Sequence, residues 1–365
     1  MEDAPTRSRP PRSVLYRVLL TCTSVFAAMA IGEAVLRIFP VRGTGFGTRV
    51  FDPDIKIYKF TPRSKVVVTN VRNERIVRDV NREGWLDRDH TPEKPEGTYR
   101  IGFFGDSYVE ALQVKLEHTF FRIVEEKLSG RNVETLAFGH SGFGPIHNCL
   151  VSEKYAPHFD LDLVVYVFFE NDPGDQTELV KTAASMVYAR LEDGEVLVDD
   201  TLQAAERRKV TAPRRLGFLN HSALYRNTYI RLKLTLDVRQ ADKRPGIPDQ
   251  NDPPSTWPAH LVEEAKTLSE AVISKWAAAV KKSARRFAVF YVPVQGQFDK
   301  RDVNQDTWKH WLKTFCVRND ITFIDACDAF AAAEREGRTV HDDHFSVDGH
   351  RVFADVFVNW FETTQ

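Results

Sequence analysis

The sequence predicts an α/β fold, with a parallel sheet covered by helices on both faces. Three observations carry that prediction. The runs Ile101-Gly102-Phe103-Phe104 and Leu163–Phe169 are apolar throughout, as strands buried on both faces must be. Stretches with apolar residues at helical spacing stand between successive runs, which is the alternation of crossover-connected parallel strands. Turn-forming and polar residues, among them Gly105-Asp106-Ser107, follow directly on the runs, at the end of a sheet where such folds hold ligands.

The chain has 365 residues, enough for one large domain with an appendage. Residues 1–12 form a polar tail that includes Arg7, Arg9 and Arg12. Residues 13–39 are mostly apolar, broken by Arg17, Glu33 and Arg37, and Val18–Gly32 carries no charge. That uncharged core is shorter than the roughly 17–25 residues of a membrane-crossing helix. Arg17 can snorkel back to one surface, and Glu33 and Arg37, one helical turn apart, can pair near the other. The segment reads as a retained transmembrane anchor. The other reading is a cleaved signal segment with Ala28-Met29-Ala30 as its small-residue site. Both send the rest of the chain to the outer side of the membrane, because the early arginines stay inside.

Residues 40–98 form a β-rich lead-in. Lys65-Val66-Val67-Val68-Thr69 and Arg75-Ile76-Val77-Arg78 have strand composition, and Asn81-Arg82-Glu83-Gly84 marks a turn. The lead-in either packs on the main domain or links it to the anchor. The main domain, 99–363, begins with a strand at Tyr99–Phe104. An amphipathic helix at Thr119–Leu128 follows, with Phe120, Ile123, Val124 and Leu128 on one face. Val133–Phe138 is the second strand, Pro145–Tyr155 a helix and Leu163–Phe169 the third strand. Residues 176–256 break the rhythm as a charged, proline-containing insertion, partly helical and mobile around 240–256. The rhythm resumes with a helix at 258–284, a strand at Phe287–Val292 and a helix at Trp308–Val317. A strand at Ile321–Asp325 and a final helix at Gly349–Phe361 complete it.

Hydrophobic residues make up 42% and charged residues 28%, an ordinary globular balance. A net charge of -1, with no basic run carrying interleaved aromatics, argues against a nucleic-acid partner. Cys22, Cys149, Cys316 and Cys327 match neither a zinc spacing nor a disulfide framework, so no metal or other cofactor is expected.

Four loops at or beyond strand ends hold polar residues suited to one site. Ser107 stands at a strand-to-helix turn, where a hydroxyl with a nearby base becomes a nucleophile; alternatively Asp106 or Ser107 caps the helix. In Gly139-His140-Ser141-Gly142-Phe143-Gly144, glycines let a backbone N–H approach a substrate, or simply make a tight turn. In Glu170-Asn171-Asp172, the carboxamide can donate to an oxyanion, or the segment is an ordinary Asx turn. His341-Asp342-Asp343-His344, followed by Gly349-His350, supplies an imidazole and carboxylates: a base with an orienting partner, a surface loop or a metal site.

In this order and on this rhythm the loops resemble the blocks of the SGNH hydrolase family, also called the GDSL-like esterases and lipases. Gly105-Asp106-Ser107 matches its first block, Gly142 its second, Asn171-Asp172 its third, and His344 with Gly349-His350 its last. The likeness covers residues 99–180 and 285–363, and is similar to membrane-anchored bacterial members with a β-rich lead-in. Asn81 and Gly84 echo the turn of that lead-in. The resemblance implies a three-layer α/β/α, flavodoxin-like parallel sheet behind an N-terminal transmembrane helix. It implies a serine esterase working through an acyl-enzyme, with Ser107 as nucleophile and His344 as base. The Ser107 N–H, Gly142 N–H and Asn171 side chain would form the oxyanion hole, and no cofactor would be needed. The substrate would be an ester or an acylated glycan. Two departures stand out: Phe169 occupies the place of a glycine two before the asparagine, and His341 that of an aspartate three before the histidine. The orienting carboxylate is then Asp342 or Asp343, and the Asp-x-His spacing of acetyltransferase-like relatives favours Asp342. Two other functions fit the same blocks: an O-acetyltransferase acting on a cell-envelope glycan, and a non-catalytic glycan-binding protein of the envelope.

Overall fold

A computed structural model describes residues 12–38, 45–46, 49–180, 185–210, 222–225, 228, 256–293 and 306–364. Residues 1–11 of the polar tail, and residues 240–255 of the stretch expected to be mobile, lie outside them. The chain divides into two compact units.

The first unit contains helix α1 (Arg12–Ile38) and the helical turn Ala223–Tyr225. Within α1, the 23 residues Tyr16–Ile38 are long and apolar enough to cross a membrane, with a mean hydropathy of 1.8; a signal segment meets the same criteria. Arg37 pairs with Glu33 at 2.6 Å, the i,i+4 partnership expected from the spacing. The Ser222 hydroxyl and the Leu224 N–H also donate to Glu33, at 2.8 and 2.9 Å, so this carboxylate on an apolar helix is well satisfied.

The second unit holds the lead-in and the main domain. In the lead-in, β1 (Gly45–Phe46) pairs with β4 (Lys65–Thr69) and β4 with β5 (Arg75–Asp79), all antiparallel, while β2 (Arg49–Asp52) and β3 (Ile57–Phe60) make a hairpin. The lead-in packs on the main domain through buried polar contacts. Asp87 accepts from the Ala137 N–H at 3.0 Å, and His90 meets Glu134 at 2.7 Å. Arg78, 2% exposed, donates to the Ala111 carbonyl at 2.8 Å and the Val114 carbonyl at 3.2 Å.

The main domain is a wholly parallel sheet of β6 (Tyr99–Gly105), β7 (Val133–Gly139), β8 (Leu163–Phe168), β11 (Arg286–Tyr291) and β12 (Thr322–Asp325). Its spatial order is β12-β11-β8-β6-β7. Helices α2 (Ser107–Glu110) and α3 (Phe120–Lys127) lead from β6 to β7; α4 (Pro145–His158) leads from β7 to β8. Beyond β8 come α5 (Asp172–Asp175), a hairpin of β9 (Tyr188–Glu192) and β10 (Glu195–Asp199), α6 (Thr201–Val210) and α7 (Ala259–Lys282). The chain ends with α8 (Asp306–Arg318), α9 (Cys327–Arg335), the two-residue pair β13 (His341–Asp342) and β14 (His344–Phe345), and α10 (Val347–Thr363).

Side chains alternate across the strands, and both faces are apolar. Ile101, Phe103, Val165, Val167 and Phe290 pack with Phe120, Phe121, Phe353 and Phe357 of α3 and α10. Phe104, Val164, Tyr166, Val289 and Tyr291 pack on the other face with Val151 and Tyr155 of α4 and Val272 and Trp276 of α7. This order determines where a ligand crevice opens. The connection from β6 runs over one face and that from β8 over the other, so the loops at their carboxyl ends diverge between two adjacent strands. Such a switch point is where open α/β sheets bind ligands.

Candidate active site

Ser107 and Asn171 stand on the two sides of that switch point, after β6 and β8. The elbow at Ser107 follows from its neighbours. Asp106, 0% exposed, is the N-cap of α2 and accepts from the Tyr108 N–H at 2.9 Å. Asp106 therefore does the capping, and the Ser107 hydroxyl lies 3.4 Å from Asp106 Oδ2 and closer to the ring of His344. The helix ends after one turn, where Ala111 takes a left-handed conformation with φ 49° and returns its N–H to the Ser107 carbonyl at 2.9 Å. The turn lies tightly on β7. A Cβ on Gly139 would stand 2.2 Å from the Glu110 nitrogen and 2.4 Å from the Val109 carbonyl carbon, so only glycine admits this approach.

The Ser107 hydroxyl is 2.8 Å from His344 Nε2 across 237 residues of sequence. The other ring nitrogen, Nδ1, lies 3.2 Å from Asp343 Oδ2. Hydrogen bonding to His344 holds the Asp343 carboxyl below the usual carboxylate range. Tyr108 packs on the imidazole, with ring centroids 5.1 Å apart, and on Phe345 at 4.7 Å. A hydroxyl, an imidazole and a carboxylate in hydrogen-bonded series form the arrangement that activates a serine for acyl transfer.

Asp342, the carboxylate that spacing favoured, does not reach His344; it pairs instead with Arg72 of the lead-in. The physical reason is local. Asp343 forms the tip of the β13–β14 pair with φ 71°, which turns its side chain back on the ring, while Arg72 engages Asp342. His341 is also structural. It is buried, donates through Nε2 to the Pro293 carbonyl at 3.1 Å, and burial lowers it to about 4. His350 accepts the Phe120 N–H at 3.2 Å, and burial lowers it to about 3, so it ties α10 to α3.

Gly142 lies in the loop after β7 with φ 82°. This loop abuts the one after β8, since a Cβ on Gly144 would stand 2.4 Å from the Asp172 carbonyl oxygen. Asn171 is the N-cap residue of α5, and its Nδ2 donates to Asp175 at 2.9 Å. Asp172 accepts from Tyr166 Oη at 2.7 Å and from the Phe169 N–H at 3.2 Å, and burial pushes its carboxyl well above the carboxylate range. Phe169 packs on Tyr108 with centroids 4.6 Å apart, and so backs the ring that lies against the imidazole. Two further residues of this region escaped the sequence reading, Tyr108 and Glu110. Tyr108 adjoins the serine, but its contact with the ring depends on a hairpin more than two hundred residues away. Glu110 lies at i+3 from Ser107 on α2, which gives it a direction but not its burial. Among the described residues, no group of three or more His, Cys, Asp or Glu is placed to hold a metal ion.

No protein-family model matches the chain, and no curated protein matches it. Among solved structures, an acetyl xylan esterase is similar at 14% identity and a TM-score of 0.40, over 72% of this chain and 98% of that one. An acetylxylan esterase from Geobacillus stearothermophilus is similar at 13% identity and a TM-score of 0.40, over 72% of this chain and 93% of that one. TesA is similar at 8% identity and a TM-score of 0.39, over 70% and 94%. Likenesses this distant do not bear on what the chain acts upon.

Proposed function

We propose that the protein is a serine esterase that cleaves a carboxylic ester through an acyl-enzyme. The observation that carries this reading is the 2.8 Å contact between Ser107 Oγ and His344 Nε2. His344 takes the hydroxyl proton as Oγ attacks the ester carbonyl, and Asp343 orients the ring through Nδ1. The Ser107 N–H, the Gly142 N–H and the second amide hydrogen of Asn171 receive the oxyanion. Collapse expels the alcohol, to which His344 returns the proton. Water, deprotonated by His344, then attacks the acyl-serine, releases the acid and restores Ser107. The chemistry uses no cofactor. Helix α1 anchors the protein as a single-pass chain, with this site on the outer side.

The test is hydrolysis of a p-nitrophenyl ester by the full chain and its Ser107→Ala variant, with fluorophosphonate labelling of both. Ser107→Ala should lose about 10³-fold or more in turnover and all labelling. Near-normal turnover by that variant would refute the nucleophile, and absence of Ser107-dependent labelling in the parent protein would point to a binding protein. The second step also admits a sugar hydroxyl in place of water, which would make the protein an O-acetyltransferase of an envelope glycan. The membrane-length helix α1 favours that location. Mass analysis after incubation with an acetyl donor and a glycan separates transfer from hydrolysis.

A further inference from the structure

One buried carboxylate joins the helix that carries Ser107 to the loop that carries Gly142, and the chemistry above does not use it. Glu110 closes α2, three residues after Ser107, and is 1% exposed. Its Oε2 accepts the hydroxyl of Ser141, the residue before Gly142. Burial pushes the Glu110 carboxyl up, and the Ser141 hydroxyl and the charge of Arg49 pull it partly back. Bringing a carboxylate out of water in this way is costly, and a glutamate at the end of an exposed helical turn would avoid that cost.

The gain is control of one peptide plane. The Ser141 carbonyl and the Gly142 N–H belong to the same planar trans unit and point in opposite directions. The carbonyl is held by His140 Nδ1 at 3.0 Å. A carbonyl only accepts, so Nδ1 carries the proton; burial lowers the His140 ring well below its ordinary range and keeps it neutral. The side chain at the head of that plane is held by Glu110. Gly139, the last residue of β7 before the loop, rests on the backbone of Val109 and Glu110. The loop is thus tied to α2 by the Ser141 side chain, one residue before the donor, and by the Gly139 backbone at its start, while the His140 ring holds the peptide plane from within the loop.

We infer that Glu110 and Ser141 are positioning residues that aim the Gly142 N–H at the oxyanion formed at Ser107. The inference rests on the esterase reading. Misplacing a donor by about 1 Å can cost up to 10²-fold, and losing it outright 10²–10³-fold.

The test uses the full chain and the variants Ser141→Ala, Ser141→Thr and Glu110→Gln. Ser141→Ala should lower kcat by about ten- to a hundredfold with KM within about twofold, and should slow fluorophosphonate labelling by the same factor, since both reactions form an oxyanion. Ser141→Thr restores a hydroxyl and should recover most of the loss. Glu110→Gln keeps an acceptor oxygen and should fall less than Ser141→Ala; it also serves as the second probe if Ser141→Ala does not fold. Unchanged kcat in Ser141→Ala, or a loss that the threonine does not recover, overturns the inference while leaving Ser107 as nucleophile. A parent protein without Ser107-dependent labelling removes the esterase reading, and this inference with it.

Discussion

The two ends of the hydroxyl–imidazole pair are held by different means. Ser107 follows a strand buried on both faces, and its elbow is set by the fully buried Asp106 cap, the Gly139 contact and the buried Arg78. His344 belongs to a two-residue strand pair, with its side chain 24% exposed and its partner Asp343 60% exposed. One end is fixed by close packing of backbone, the other by ring contacts and solvated charges. Packing is intolerant of small volume changes, whereas exposed charges lose most of their strength to solvent. Substitutions at the two ends should therefore differ in kind as well as size.

The largest effect should come from Gly139→Ala, which attacks the packed end. The added Cβ meets backbone atoms at 2.2 and 2.4 Å, and no side chain can rotate away to relieve it. Overpacking typically costs about 1–3 kcal/mol, and a backbone obstacle that cannot move aside puts this substitution at the upper end. Urea unfolding should show that loss, and turnover should fall because α2 must lift and carry Ser107 with it. An unchanged denaturation midpoint would mean that the elbow is looser than its contacts imply.

The same contrast explains what was legible in the sequence. The central strand β8 and the inner parts of its neighbours β6 and β11 read as continuous apolar runs because both of their faces are buried, and the elbow serine stands just beyond the end of β6. The strand pair around His344 is too short for any periodicity, so the sequence offers the imidazole but not the geometry that selects Asp343 over Asp342. Two adjacent aspartates differ only in which way the chain turns, and that depends on φ 71° at Asp343 and on Arg72, 270 residues before Asp342. The insertion, expected to be partly helical, also contains the β9–β10 hairpin. Its Asp193-Gly194 turn, with φ 50° and 82°, is the dipeptide that favours a two-residue hairpin and was the available signal. Helix α9 escaped notice because it is short and its apolar face is largely alanine. Buried carboxylates such as Glu110 cannot be read from a sequence, since nothing local distinguishes them from surface ones.

At the exposed end, Asp343→Asn should lower kcat by about tenfold, close to 1.4 kcal/mol, far less than the loss expected for a fully buried orienting carboxylate. Steady-state kinetics on a p-nitrophenyl ester checks this. A thousandfold loss would show that solvent does not weaken the contact, and the contrast between the two ends would fail.

A pH experiment sharpens the packed side. Burial pulls the His90 ring down, but its contacts with Asp87 at 3.1 Å and Glu134 at 2.7 Å raise it overall. A raised value means that the pairing stabilises fully below the unfolded histidine value of about 6.5 and is lost as pH rises through the folded value. His140, His341 and His350 are shifted the other way, so their contribution has already levelled off above that pH. The unfolding midpoint should therefore decline as pH rises from about 6.5, and His90→Gln should flatten the decline. An identical slope in the variant would remove His90 as its source.

Asp342→Asn is the smallest expected effect and the most selective test of the exposed end. Asp342 meets Arg72, which is half exposed, and surface ion pairs of this kind contribute about 0–1 kcal/mol. Its carboxylate faces the lead-in, while Nδ1 of the imidazole lies 3.2 Å from Asp343. Turnover should stay within about twofold of the parent, with any change in stability at the limit of detection. The variant also compares spacing directly with geometry. If Asp342→Asn were the damaging substitution and Asp343→Asn the silent one, the hairpin would have to reverse its tip when substrate binds, and the ring would be oriented by the residue two before it.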